Sequence, residues 1–189
     1  MTERCLWVEK GIMHTQSPAN SHWLIYKLVS GFLNKTDEVL DVGCGCGAGS
    51  VILSEKCKSV FAIDNAKEAI EYAEKSNQKH NIKFVKHSIE NFLENNKDEG
   101  PFFDKIFAIE VIEHLDNPKE KIKGLYNMLN PFGMLVISFP VESSGGFHKT
   151  NFTRKNVHTF FEGLPVQIRT IEPGNRPANS QNFLIMVSK

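Results

Sequence analysis

The stretch Asp41-Val42-Gly43-Cys44-Gly45-Cys46-Gly47-Ala48-Gly49 joins a short apolar run to a helical one. Glycine at Gly43, Gly45 and Gly47 lets a backbone turn sharply and approach a ligand with no Cβ in the way. The helix that follows offers N–H groups with no partner inside the helix. A dinucleotide loop would turn these toward a pyrophosphate, and Gly43-x-Gly45-x-x-Ala48 fits that fingerprint. Two acids narrow the choice. Asp41, two residues before Gly43, would repel a pyrophosphate but attract a cationic group such as an ammonium. Asp64, 21 residues after Gly43, ends the next apolar run, where a carboxylate accepts from ribose hydroxyls. A helix N-cap role for Asp64 is compatible with this, because Asn65 can cap instead.

A second group lies downstream. In Glu110-Val111-Ile112-Glu113-His114, a helical turn would place Glu110, Glu113 and His114 at i, i+3 and i+4, on one face. His148 follows the Met134–Phe139 run. His114 and His148 are the candidates for moving a proton near neutral pH. Together with Glu110 and Glu113 they also make a two-carboxylate, two-imidazole set of the kind that holds Mg²⁺, Mn²⁺ or another divalent ion. The plain alternative is that Glu113 and His114 shape a loop and His148 lies on the surface. The expected site contains no assigned metal ligand.

Strands and helices must place these groups. Strands are expected at 38–42, 59–63, 82–85, 104–109, 134–139, 166–171 and 182–187. Helices are expected from Ser17-Pro18 to about 32, then at 48–57, 66–78, 89–93, 118–129 and 153–161. In the first helix Trp23 and Leu28 are expected to face the core. Asn130-Pro131-Phe132-Gly133 reads as a turn, and 98–101 as a loop. Alternation of this kind implies a parallel sheet covered on both faces. Ligands in such sheets bind outside the carboxyl ends of the strands, and both groups of chemistry-bearing residues fall there.

Composition sets the outer bounds. The 189 residues carry 22 Lys+Arg and 22 Asp+Glu, with 41% hydrophobic and 23% charged residues. This is ordinary globular usage, and the zero net charge provides no global pull toward nucleic acid or an anionic membrane. The longest apolar stretch is far below the roughly 20 residues of a membrane span, and no signal segment is read at the N-terminus. Cys5, Cys44, Cys46 and Cys57 lack scaffold-like spacing, and Cys44-Gly45-Cys46 is a poor zinc pair without a second pair. A cytoplasmic protein with incidental thiols is expected.

Several segments taken together resemble the class I S-adenosylmethionine-dependent methyltransferases, small-molecule type. Val39-Leu40-Asp41-Val42-Gly43-Cys44-Gly45-Cys46-Gly47 is similar to that family's first motif, and Ala62-Ile63-Asp64 to its second. Phe84-Val85-Lys86-His87-Ser88-Ile89-Glu90 is similar to the adenine-contacting segment, with Ser88 where the family often has Asp. The run from Phe103 through Glu110-Val111-Ile112-Glu113-His114-Leu115 resembles the fourth motif, and Leu129–Ser138 the next strand.

The resemblance implies a single Rossmann-like α/β domain, with a seven-stranded, mostly parallel sheet and an antiparallel last strand. Residues 1–35 would form a helical cap segment and 36–189 the core. The cofactor would be S-adenosyl-L-methionine, held by Asp41, Gly43, Cys44, Gly45, Gly47, Asp64, Asn65, Ser88, Ile89 and Glu110. The partner would be a small-molecule methyl acceptor, in a pocket either open or closed by a second subunit of a homodimer. Three alternatives stand beside this reading. Glu110-x-x-Glu113-His114 with His148 also resembles the ligand pattern of metal-dependent small-RNA 3′-terminal 2′-O-methyltransferases, although the charge balance shows no RNA footprint. The other two are a binding module without catalysis and a nicotinamide-dependent oxidoreductase.

Overall fold

The computed structural model describes residues 21–96, 102–142, 148–172 and 181–189. The expected helix start at Ser17-Pro18, the loop at 98–101 and the N-terminal part of the cap segment lie outside these. Seven strands form one sheet: β1 (Glu38–Val42), β2 (Ser59–Asp64), β3 (Ile82–Lys86), β4 (Phe103–Ile109), β5 (Leu129–Pro140), β6 (Val166–Ile171) and β7 (Asn182–Ser188). Their order is β3-β2-β1-β4-β5-β7-β6. The first five run parallel, and β7 is antiparallel to both β5 and β6. The chain therefore winds outward from β1 in both directions, and the gap between β1 and β4 is the topological switch point.

Among the described residues, five α-helices cover the sheet: α1 (Ser21–Val29), α2 (Ala48–Ser54), α3 (Lys67–Ser76), α4 (Ile89–Asn95) and α5 (Pro118–Asn127). On one face, Ile25, Val29, Ile52, Leu53, Ile70 and Ala73 pack against Val39, Val60 and Phe107. On the other, Phe92, Ile122, Leu125 and Phe161 pack against Leu40, Ile106 and Ile137. Burial of both faces explains why the central strands are nearly continuous apolar runs. Among the described residues, no helix is long and apolar enough to cross a membrane.

Three local expectations are corrected. In α1 the buried stripe is Ile25, Tyr26 and Val29, and Leu28 is half exposed. The helix is rotated so that the Tyr26 ring lies against Gly49, where an added Cβ would come within 2.3 Å of it. Asn130-Pro131-Phe132-Gly133 is a bulge within β5 rather than a turn before it. Leu129 pairs with Phe103 and Met134 with Lys105, so the extra residues loop out between two paired positions. Asp104 and Lys189 anchor the bulge: the Asp104 carboxylate accepts from Asn130 Nδ2 at 2.9 Å, and Lys189 N donates to Gly133 O at 3.0 Å. The expected helix at 153–161 is a 3₁₀ segment, Val157–Phe161. Thr153 and Asn156 bond each other's backbone N–H through their side chains, closing a compact turn where a helix would begin.

Candidate active site

The cleft at the switch point is an open space of about 330 Å³, lined by Val42, Gly43, Ile63, Asp64, Asn65, His87, Ile89, Glu90, Val111 and Leu115. Its floor comes from the ends of β1 and β2, one wall from the β3–α4 connection, and the other from the segment after β4. Of the residues expected to hold a cofactor, Gly43, Asp64, Asn65 and Ile89 line it.

Asp64 is 1% exposed, with both carboxylate oxygens engaged. Oδ2 accepts from Gly45 N at 2.9 Å and Oδ1 from Ala66 N at 2.9 Å. The residue in the N-cap position of α3 is Ala66, so Asp64 serves the loop rather than that helix. A carboxylate oxygen can accept more than one hydrogen bond.

Gly43 and Gly47 have φ of +68° and +83°, the left-handed region that a side chain disfavours. A Cβ at Gly43 would come within 2.4 Å of the Val111 side chain, and one at Gly47 within 2.6 Å of the Phe84 ring. The close approach that glycine permits is therefore made first to the protein itself. Gly43 brings β1 against the wall after β4, and Gly47 lets α2 begin over Phe84.

Asp41 does not line the cleft. It is fully buried beneath the loop, accepting from Tyr26 Oη at 2.8 Å and from Ser50 Oγ at 2.6 Å. Burial pushes its carboxyl up to about 7 against these two hydrogen bonds, and the Asp64 charge adds to the rise. Burial, followed by the charge of Asp41, raises the Tyr26 phenol well above its usual value.

A folded carboxyl titrating near 7, against 3.8 when unfolded, makes the native state hold a proton that the unfolded chain has released. Stability from this group therefore declines as pH climbs from about 4 to about 7, by on the order of 4 kcal/mol, and stays at its lower level above that. Asp41→Asn is expected to remove this contribution. Urea midpoints taken from about pH 5 to about pH 8 should fall less steeply in the variant than in the wild type; parallel slopes would contradict the assignment.

Cys44, 6% exposed, points into the core beside α1 and α2. Ser88 caps α4, its Oγ accepting from Asn91 N at 3.2 Å. Glu110 takes a left-handed φ of +57°, and its Oε1 accepts from Ser138 Oγ at 3.0 Å and from Asn182 Nδ2. This sets it at the carboxyl ends of β4 and β5, apart from Glu113 and His114.

Those two belong to a 3₁₀ turn, Ile112–His114, bracketed by the cleft-lining Val111 and Leu115. Glu113 is 1% exposed. Its carbonyl accepts from Lys149 N at 2.8 Å and Thr150 N at 3.1 Å, which ties the segment after β5 to this turn. The His114 and His148 rings consequently meet edge to face, centroids 4.9 Å apart. The two imidazoles that the sequence separates by 34 residues are thus brought together.

His87, Glu90, Val111 and Leu115 line the cleft but were not among the expected site residues. All four flank expected ones in the two motif segments. Tyr26 and Ser50, the supports of Asp41, carry no such signal.

A family model described as "Methyltransferase domain" matches residues 33–168. The ubiquinone biosynthesis O-methyltransferase of Rickettsia bellii is 36% identical over 135 residues, covering 69% of this chain and 53% of that protein. The malonyl-[acyl-carrier protein] O-methyltransferase of Halalkalibacterium halodurans is 32% identical over 138 residues, covering 68% and 49%. The chain thus spans about half the length of the curated relatives it matches. In fold it is similar to the N-methyltransferase NodS from Bradyrhizobium japonicum WM9, solved with S-adenosyl-L-homocysteine. The TM-score there is 0.70 at 20% identity, covering 89% of this chain and 87% of that one. It also matches a chain from a Haloferax volcanii complex of the Trm112 methyltransferase activator with a methyltransferase. That TM-score is 0.78 at 16% identity, covering 100% and 98%. With the sheet order, the glycine loop and the acid after β2 in the places its motifs require, the chain belongs to the class I S-adenosylmethionine-dependent methyltransferase family.

Proposed function

We propose that the chain transfers a methyl group from S-adenosylmethionine to a hydroxyl of a small-molecule acceptor, in the cytoplasm. The observation that carries this reading is the position of the His114–His148 pair: His114 lies on a turn whose two flanking residues line the switch-point cleft, and His148 meets it from the segment after β5. The matched relatives named as O-methyltransferases support oxygen as the acceptor atom.

The cleft fits the cofactor. Gly43 leaves a floor without a side chain, Asp64 and Asn65 stand where ribose hydroxyls need acceptors and donors, and Ile89 offers an apolar surface to a base. The bound cofactor supplies an activated methyl on a sulfonium, whose sulfur leaves with the electron pair of the broken C–S bond. The chain's residues align the acceptor oxygen with that bond and exclude water, which is worth up to roughly 7–11 kcal/mol. A neutral hydroxyl is a weak nucleophile, so its proton must leave as the O–C bond forms. We assign that activation to His114 and His148.

His148→Ala and His114→Ala are expected to lower methyl transfer roughly 10²–10⁴-fold. Affinity for S-adenosylhomocysteine should stay within about twofold, because neither side chain lines the nucleoside cleft. Transfer of labelled methyl to a panel of phenols, alcohols and carboxylic acids, alongside calorimetry with S-adenosylhomocysteine, measures both. Unchanged turnover in the two variants would overturn the assignment.

A further inference from the structure

We propose that Tyr26 and Ser50 hold the Asp41 carboxylate in its charged form beneath the glycine loop, and that this buried charge makes the site prefer the sulfonium cofactor to its neutral-sulfur product. The inference rests on S-adenosyl nucleosides occupying the switch-point cleft and is independent of the acceptor atom.

Asp41 is 0% exposed, and the groups that act on it among the described residues are Ser50, Tyr26 and Asp64. None of the three is a cation. Its partners on the neighbouring strands, Ala62 and Phe107, are apolar. A charge placed there costs free energy unless it is hydrogen-bonded or paired. Two hydroxyls supply the hydrogen bonds, Tyr26 Oη at 2.8 Å and Ser50 Oγ at 2.6 Å. Val42 and Gly43, the two residues after Asp41, line the cleft, so a cationic ligand on that floor can supply the opposite charge.

Each hydroxyl comes from a helix seated for it. On α1, buried Ile25 and Val29 face the core, and the Tyr26 ring lies over Gly49 with no room for a Cβ between them. On α2, Ser50 is fully buried one residue further along. Burial, followed by the charges of Asp41, Cys44 and Asp64, keeps the Tyr26 phenol protonated, so toward Asp41 it acts as a donor. Burial and Asp64 favour the neutral acid, the two hydroxyls favour the anion, and the balance leaves the carboxyl at about 7. A group so poised becomes more fully charged when a cation binds above it.

S-adenosylmethionine and S-adenosylhomocysteine share the nucleoside and the α-amino group. They differ by one methyl and by the positive charge on sulfur. Anionic Asp41 attracts that charge through the floor of the cleft, and the attraction to the sulfur is lost once the methyl has left. The chain thereby holds its substrate more firmly than its product. Tyr26 and Ser50 act through Asp41 and are positioning residues.

The test titrates the whole chain with each of the two ligands by calorimetry, from about pH 5.5 to about pH 8.5. The readout is the ratio of the two affinities, and ionisation of the ligands' own amino groups cancels between wild type and variants. At about pH 8 the wild type is expected to favour S-adenosylmethionine roughly three- to tenfold more than Asp41→Asn does. At about pH 5.5, with the acid protonated, the two ratios should meet. Tyr26→Phe and Ser50→Ala each remove one donor, so the rise of the ratio with pH should move to higher pH. A merely structural loss would weaken both ligands alike and leave the ratio and its pH profile in place. Circular dichroism controls for folding, and Ser50→Ala decides where Tyr26→Phe does not fold. An equal ratio in wild type and Asp41→Asn at about pH 8, or a profile unmoved in the folded donor variants, would overturn the proposal. Failure of the underlying reading looks different: neither ligand binds at any pH, and occupancy of the cleft falls with the proposal.

Discussion

Asp64→Ala is expected to weaken S-adenosylhomocysteine binding about 10²–10⁴-fold. The carboxylate stands at the end of β2 in the cleft, and a carboxylate oxygen can accept more than one hydrogen bond. Two charge-assisted hydrogen bonds at about 1.5–3 kcal/mol each give that range. The same side chain also holds Gly45 N and Ala66 N, so alanine loosens the loop as well. Asp64→Asn separates the two roles. Its amide oxygen can still accept from one backbone N–H, but its NH₂ is a poor partner for the other. A smaller loss, nearer tenfold, is expected with most of the stability retained. Calorimetric titration, with urea unfolding of each variant, measures both effects. Equal affinity in wild type and Asp64→Ala would remove Asp64 from the binding site.

Gly43→Ala should be among the most destabilising single-methyl changes in the molecule. It places a side chain at φ +68°, costing about 1–2 kcal/mol, and drives a Cβ to 2.4 Å from Val111. Relief of that collision by moving backbone or side chain adds about 1–3 kcal/mol. The sum, roughly 2–5 kcal/mol, is a large share of a typical domain's stability. Val111→Ala in the same chain should recover the collision part but not the backbone part. A double-mutant cycle with a favourable coupling of about 1–3 kcal/mol is therefore expected. Additive effects would mean that Gly43 is needed for its backbone alone. The cycle also tests how the cleft is built, because Val111 forms its far wall.

The fold was legible wherever pattern and position coincided. The apolar runs at 38–42, 59–63 and 104–109 read as central parallel strands, and the structure extends the last two by one residue each, to Asp64 and Phe103. The glycine loop had to follow the first of them, because a side-chain-free bend is useful only at a strand's carboxyl end. Asp64 could be placed by its distance from Gly43 alone. Contacts that bring distant segments together could not be read this way. Tyr26 reaches Asp41 across 15 residues, and the orientation of α1 is set by that bond and by the space over Gly49, so the exposure of Leu28 was not foreseeable from helical spacing. Glu110, Glu113 and His114 satisfy one helical spacing. The chain nevertheless passes through a left-handed residue at Glu110 and a 3₁₀ turn at 112–114, and this separates Glu110 from the other two. His148 could be put at the right edge of the sheet, but its pairing with His114 depends on two backbone hydrogen bonds to Glu113. The bulge at 130–133 contains a Pro and a Gly, the usual marks of a turn. Only the register with β4 shows that the strand continues through it.

The central claim is that the bend at Gly43 and the acid at Asp64 hold S-adenosyl nucleosides at the switch point. Crystals grown with saturating S-adenosylhomocysteine test it most directly. The expected density places the ribose hydroxyls on Asp64 and Asn65, the base against Ile89, and the sulfur toward the wall that carries Glu113 and His114. A cleft left empty under those conditions, or a nucleoside bound elsewhere on the sheet, would contradict it.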